Sequence, residues 1–183
     1  PNIKINLGGI AKGYAADELS HLLTSMGYSN YFIDIGGDVI ARGVNQKKEI
    51  WKIGIRSPKA NLTALDDIHS KISLSNTALA TSGHYFNYRQ YKQKIYSHIL
   101  NPMTGDSLIG EIISVSILAD NCIQADGLAT AIFVMDVRDG LDLINSLDWA
   151  EGMIIIQNKN GILSEYFSKD FIKKTNYEKI SNS

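Results

Sequence analysis

Strand-length runs follow one another along this chain, and helix-length stretches interrupt them at only a few places. That uneven spacing is the strongest restriction on the fold. A doubly wound parallel sheet needs a helix after nearly every strand, whereas neighbouring strands joined by short turns pair antiparallel. Ile3 to Leu7 reads as a short extended segment ending at Gly8-Gly9. A helix is expected from Ile10 to Met26, where Leu19, Leu22, Leu23 and Met26 recur at helical spacing and Gly27 supplies a stop. Tyr31 to Ile35 reads as a buried strand running into Gly36-Gly37, and Asp38 to Arg42 continues extended. Trp51, Ile53 and Ile55 alternate with polar or small residues as in a half-buried strand. Residues 58–70 read as an irregular loop. Lys71 to Ser75, Leu79 to Ser82 and Tyr96 to Leu100 are further short strands, the last closed by Asn101-Pro102. Ile113, Val115 and Ile117 alternate with Ser114 and Ser116, which predicts a strand with one face buried.

Two helices are expected next. One runs from Ile123 to Met135 with Leu128, Ala131, Ile132 and Met135 on one face, and the other turns Val137, Leu141 and Ile144 inward. Met153 to Gln157 and Ile162 to Phe167 form a strand pair turned by Asn158-Lys159-Asn160-Gly161. The expected class is therefore α+β, mostly antiparallel sheets with flanking helices. Residues 1–173 read as one domain, or one lobe of a larger protein, and residues 174–183 as a frayed polar tail.

Charge narrows the partners. Lys plus Arg is 18 and Asp plus Glu is 19 in 183 residues, a net charge of −1. A dominant role on nucleic acid or anionic membrane wants a basic surplus instead. The single cysteine, Cys122, excludes an intrachain disulfide framework and a cysteine-cluster metal site. No apolar run approaches the roughly 20 residues of a membrane helix, no signal peptide is visible, and the chain opens at Pro1.

Four local features can carry chemistry. Leu7-Gly8-Gly9-Ile10-Ala11-Lys12-Gly13-Tyr14 places glycines before a helix start. This is either a tight strand-to-helix turn or a place where backbone and free helix N–H groups meet an anion. It is neither a phosphate loop of the G-x-x-x-x-G-K-[ST] kind nor a G-x-G-x-x-G turn. Ile33-Asp34-Ile35-Gly36-Gly37-Asp38 is a turn or bulge between strands, or a backbone packed on a ligand. Ala80-Thr81-Ser82-Gly83-His84-Tyr85 and Tyr96-Ser97-His98-Ile99-Leu100-Asn101-Pro102-Met103-Thr104-Gly105 gather hydroxyls and two histidines, although His98 in an apolar strand is by default structural. In Ala125-Asp126-Gly127-Leu128-Ala129-Thr130, Asp126 and Thr130 share one helix face. A carboxylate and a hydroxyl there are hard oxygen ligands of the kind Mg²⁺ prefers, or else Asp126 caps the helix and Thr130 bonds back to it.

Taken in order, these segments resemble the ApbE family, the FAD:protein FMN transferases. The family pattern has D-L-[GS]-x-[IV]-[AG]-[KE]-G-[YF]-[AG]-x-D, a V-G-G-D-like strand end, T-S-G-x-Y-x-N-Y, H-[IV]-[IL]-D-P-x-T-G and A-D-x-[LA]-A-T. Matching stretches here are Asn6 to Asp17, Ile35 to Asp38, Thr81 to Tyr88, His98 to Gly105 and Ala125 to Thr130. The chain departs from the pattern at Asn6 and Asn101, where Asp is usual, and at Phe86, where Arg is frequent. Family members carry a further stretch before the first motif, including FAD contacts and in many a lipoprotein signal, so this chain is expected to be part of a longer protein or a shortened relative.

The resemblance implies Mg²⁺-dependent cleavage of FAD, transfer of FMN to a Thr or Ser hydroxyl of a target protein, and release of AMP. It implies Asp126 and Thr130 as side-chain Mg²⁺ ligands with the Gly9 carbonyl as a third. Asn6 and Lys12 fall where the family contacts FAD, and Thr81, Ser82, Gly83 and the backbone near Ile99 line the same pocket. His98 takes the position of the histidine beside the reacting phosphate, as the base. The same resemblance places the protein outside the cytoplasm, anchored by a lipoprotein signal. A hydrolase giving FMN and AMP from FAD, and a non-catalytic FAD-binding module, are the alternatives.

Overall fold

The computed structural model describes residues 5–58, 68–83, 88–91, 94–97, 99–100, 104–106, 111–158 and 160–180. Helix α1 (Ala11–Ser25) is followed by strands β1 (Tyr31–Ile35), β2 (Asp38–Arg42), β3 (Trp51–Arg56), β4 (Ile68–Leu74) and β5 (Thr77–Gly83). A hairpin of β6 (Tyr88–Tyr91) and β7 (Lys94–Ser97) stands before β8 (Ile112–Ala119). Helices α2 (Cys122–Phe133) and α3 (Val137–Ser146), strands β9 (Ala150–Gln157) and β10 (Leu163–Phe167), helix α4 (Phe171–Thr175) and strand β11 (Glu178–Lys179) complete the order.

Six strands form one sheet in the order β1-β2-β5-β8-β9-β10, and β11-β4-β3 form a second. Every pairing among the described residues is antiparallel. The class is α+β, as the strand spacing implies. Side chains alternate across a strand, so each strand of the large sheet feeds two cores. On one face Ala80, Val115, Ile117 and Ile154 meet Ala125, Ala129 and Ile132 of α2 and Ile144 of α3. Beside them Ile33, Ile40 and Ala78 meet Ala16 of α1 and Cys122 of α2. On the other face Val39, Leu79, Leu118, Met153 and Ile155 meet Ile55, Ile72 and Leu74 of the small sheet and Phe171 of α4.

Several expectations change. Residues 5–7 have no regular structure: the Asn6 side chain accepts from Gly8 N at 2.8 Å, Leu7 O accepts from Ile10 N at 3.1 Å, and the chain turns before it can pair. Leu19, Leu22 and Met26 are exposed, and α1 buries Gly13, Ala16, Asp17 and Ser20 instead. Its small, polar face allows close packing on α2. Strand β8 is buried on both faces, with Ser114 and Ser116 as inaccessible as Val115, because helices cover one face of the large sheet and the small sheet covers the other. Residues 174–180 are not frayed: Thr175 is buried, β11 pairs with β4, and Ile180 N donates to His69 O at 3.0 Å.

Candidate functional site

The turn between β1 and β2 begins the site. Ile35 pairs with Asp38, leaving Gly36 and Gly37 as a two-residue hairpin loop with φ of +59° and +94°. Positive φ at both central positions matches the twist of the flanking strands, and glycine adopts it without steric cost. Asp34 accepts from Gly37 N at 2.8 Å and closes the turn. The next residue, Asp38, starts β2 with its side chain inside the molecule and wholly buried.

A buried carboxylate needs partners. Asp38 Oδ2 lies 2.5 Å from Lys12 Nζ, and Asp38 Oδ1 accepts from Thr81 N at 3.2 Å. Burial pushes the Asp38 carboxyl up to about 6; the Lys12 ammonium and the Thr81 amide pull the other way, and the Asp126 charge adds to the rise. Lys12 belongs to the first turn of α1, where backbone N–H groups lack intrahelical acceptors. Asp126, reaching across from α2, supplies one by accepting from Gly13 N at 3.0 Å. The converse contact comes from α1: Asp17 accepts from Cys122 N and Ile123 N at 2.8 Å each. Asn121 accepts from Gln124 N at 3.0 Å and completes the α2 cap. Each helix is thus capped by a carboxylate of the other, and their N-termini converge.

A ring of contacts results. Lys12 holds Asp38, Asp38 holds Thr81, and the neighbouring Ser82 shares a 3.1 Å hydroxyl hydrogen bond with Thr130. Thr130 stands one helical turn from Asp126, which returns to Gly13 beside Lys12. Four of the five sequence motifs meet in this ring. Gly9 abuts it: a Cβ there would lie 3.0 to 3.3 Å from Thr130 side-chain atoms.

Of the residues singled out from the sequence, Gly9, Lys12, Thr81, Ser82, Asp126 and Thr130 are gathered at the paired helix starts. Gly83 ends β5, buried opposite Ser114, and Ile99 packs against the helix-side core. Asn6 is exposed and makes its bond to Gly8. His98 lies outside the described residues. The cap for Asp126 is not the one read from the sequence: it closes α1 and not its own helix. Asp38 and Asp17 stand inside the matched stretches, Asp38 as a carboxylate flanking the Gly36-Gly37 turn, but the sequence assigned neither a role. The signal for Asp38 was a carboxylate opening an otherwise apolar strand, and for Asp17 its place on the helix face of Gly13, Ala16 and Ser20. Cys122 Sγ is inert here, since burial together with Asp38, Asp17 and Asp126 pushes its thiol up to about 12.

No group of three or more His, Cys, Asp and Glu side chains that could hold a metal occurs among the described residues. The donors at hand are the Asp126 carboxylate and the Thr130 hydroxyl, with the Gly9 backbone beside Thr130. Both side chains offer hard oxygens, the donor set of Mg²⁺ rather than of a thiophilic metal. An open cleft of about 650 Å³ runs from Thr81 along the Gly36-Gly37 turn between β1 and β3, floored by Phe32, Val39, Ile53 and Leu79.

One ammonium, a group of carboxylates and paired hydroxyls where α1 packs on α2, on an antiparallel α+β frame, define the site; the helix-start N–H groups of Gly13, Cys122 and Ile123 are taken by its carboxylates. The chain belongs to the ApbE family, whose model matches residues 1–154. It is 33% identical over 171 residues to the FAD:protein FMN transferase of Vibrio cholerae serotype O1, covering 93% of this chain and 50% of that protein. The flavin transferase ApbE from Vibrio cholerae superposes with a TM-score of 0.81 at 32% identity, over 94% of this chain and 53% of that one. The ApbE protein from Thermotoga maritima gives 0.79 at 38% identity, over 92% and 52%. The chain therefore spans about half the length of the relatives it matches.

Proposed function

We propose that this chain takes part in FAD:protein FMN transfer, with Mg²⁺, a Thr or Ser hydroxyl of a target protein as acceptor, and AMP as the released product. The observation that carries the reading is the convergence of Gly9 and Lys12, at the start of α1, with Asp126 and Thr130 on the face of α2 that packs on it, from motifs more than a hundred residues apart. The names of the relatives supply the substrate.

In the proposed reaction the acceptor's hydroxyl oxygen bonds to the FMN phosphorus. The bond from that phosphorus to the bridging oxygen breaks, and AMP departs with the electron pair. Such a transfer needs alignment and charge neutralisation more than covalent help. Mg²⁺, when bound by Asp126, Thr130 and the Gly9 carbonyl, supplies Lewis-acid neutralisation of phosphate charge. Lys12 presents an ammonium to the phosphates, and Asn6 contacts FAD from the segment before α1. Thr81, Ser82, Gly83 and the backbone near Ile99 line the pocket. His98 accepts the hydroxyl proton. A histidine ordinarily titrates near pH ~6.5, and a positioned base contributes roughly 10²–10⁴-fold. We place the protein outside the cytoplasm on the family resemblance.

Incubation with FAD, Mg²⁺ and a flavin-accepting protein is expected to give AMP and a fluorescent protein band. AMP with free FMN in the absence of acceptor selects the hydrolase, and retained FAD without AMP selects the binding module. Asp126→Ala is expected to abolish metal dependence; unchanged Mg²⁺ affinity in that variant refutes the ligand assignment.

A further inference from the structure

We propose that Asp38 is a positioning residue that acts through Lys12, fixing its ammonium at one point beside the converging helix starts so that a phosphate group meets a located charge. The proposal rests on the reading of the site as a holder of FAD. Asp38 is wholly buried, whereas the Lys12 side chain is 41% exposed and reaches inward from the solvent side. Both carboxylate oxygens are engaged, one with Lys12 Nζ at 2.5 Å and the other with Thr81 N at 3.2 Å. The ammonium is thereby tied to the start of β2 and, through the same carboxylate, to the backbone of β5. Its stem crosses the Gly36-Gly37 turn, where a Cβ on Gly36 would stand 3.6 Å from Lys12 Cδ.

A lysine head has three donors on a flexible four-carbon stem. One donor serves Asp38, and among the described residues the other two have no partner and can meet phosphate oxygens. Left unpaired, the stem would sample many rotamers, and binding would have to order it. Mere charge neutralisation of a buried carboxylate predicts the opposite consequence. Removing the Asp38 charge would then leave the site more positive, and an anion would bind more tightly.

The test is a double-mutant cycle on FAD binding, read by flavin fluorescence with no acceptor present, over the unmodified protein, Asp38→Asn, Lys12→Met and the double variant. Each single variant is expected to bind FAD about tenfold more weakly, with the double no weaker than Lys12→Met. Tighter binding by Asp38→Asn, or losses that multiply in the double variant, overturns the proposal. Should Asp38→Asn not fold, the ¹⁵N signal of the Lys12 ammonium in the unmodified protein decides. A slowly exchanging signal before FAD is added is expected, and a freely exchanging, solvated ammonium overturns the role. An unmodified protein that binds no FAD overturns the flavin reading and this proposal with it, whereas bound FAD without coupling overturns the role of Asp38 alone.

Discussion

Gly13 is where the closest approach of two helices is decided. A Cβ on it would lie 2.4 Å from the carbonyl oxygen of Cys122 and 2.7 Å from Ile123 Cα. These are backbone atoms, so no rotamer change relieves the clash and α1 must move away from α2. Gly13→Ala is expected to lower stability by about 1–3 kcal/mol, the usual cost of overpacking, and to weaken FAD binding, because the Asp126 contact to Gly13 N opens. Gly127 gives the contrast. Its nearest neighbour is the Cγ2 methyl of Ile10 at 3.2 Å, a side-chain contact that a small shift relieves, and alanine inside a helix gains up to about 1 kcal/mol over glycine. Gly127→Ala should therefore be near neutral or stabilising. Urea unfolding of the two variants separates them: equal losses would contradict the packing argument. The sequence announced both glycines, but nothing local told them apart, since the atom that forbids a side chain at Gly13 belongs to a residue 109 positions away.

At the scale of elements, what was legible followed from periodicity and turn chemistry. Strands β1 and β2 and the Gly36-Gly37 turn stand where the sequence puts them, because glycine pairs between apolar runs leave few alternatives. The Asn121 cap was passed over by the expected helix start at Ile123, although an Asn before an apolar helix makes such a cap legible in principle. The second cap of α2 was not, because Asp17 reaches Cys122 and Ile123 from another helix. The buried face of α1 was misleading for a related reason: of the residues that mark the helix Leu23 packs on the core but Leu19, Leu22 and Met26 lie outside, and the fully buried face is small and polar. The two caps should differ in weight. Asn121→Ala removes an exposed cap and is expected to cost about 1 kcal/mol. Asp17→Ala strands two N–H groups, that of Cys122 being buried, and removes a charged acceptor, so about 2 kcal/mol or more is expected. Chemical denaturation checks the order, and an Asn121 loss exceeding the Asp17 loss would contradict it.

For the whole molecule, the question is what joins the large sheet to the small one. The segment after β10 does much of this, although its part from residue 174 onward read as a frayed polar tail. Glu151 of β9 accepts from Ser168, from Asp170 N at 3.2 Å and from Lys174 Nζ at 2.8 Å, and so fastens α4 to the large sheet. Burial raises its carboxyl, but the hydrogen bonds from Lys174, Ser168 and Asp170 outweigh it and hold Glu151 below its ordinary value. A depressed carboxylate stabilises the fold above its unfolded pKa of about 4.3, and that stability is lost as pH falls through the folded value. Glu165, close to Lys179 and His69 and hydrogen-bonded by Tyr177, shifts in the same direction and adds to the same acid limb. Stability measured by denaturant from pH 6 downward is expected to begin falling near pH ~4.3, and Glu151→Gln to flatten part of that fall; an unchanged slope would remove Glu151 from the account. The apolar half of the same junction is Phe171, fully buried among the residues that face the small sheet and tilted against Phe167 and Tyr177 at centroid distances of 5.7 and 6.4 Å. No helical or strand period could flag it, because α4 is only five residues long. Phe171→Ala leaves a cavity between the sheets and is expected to cost about 3–5 kcal/mol, enough to expose the β4–β11 pairing to hydrogen exchange. Measured amide protection decides: β4 and β11 should lose it together in this variant, and protection retained in both would mean that the small sheet holds to the large one without the C-terminal segment.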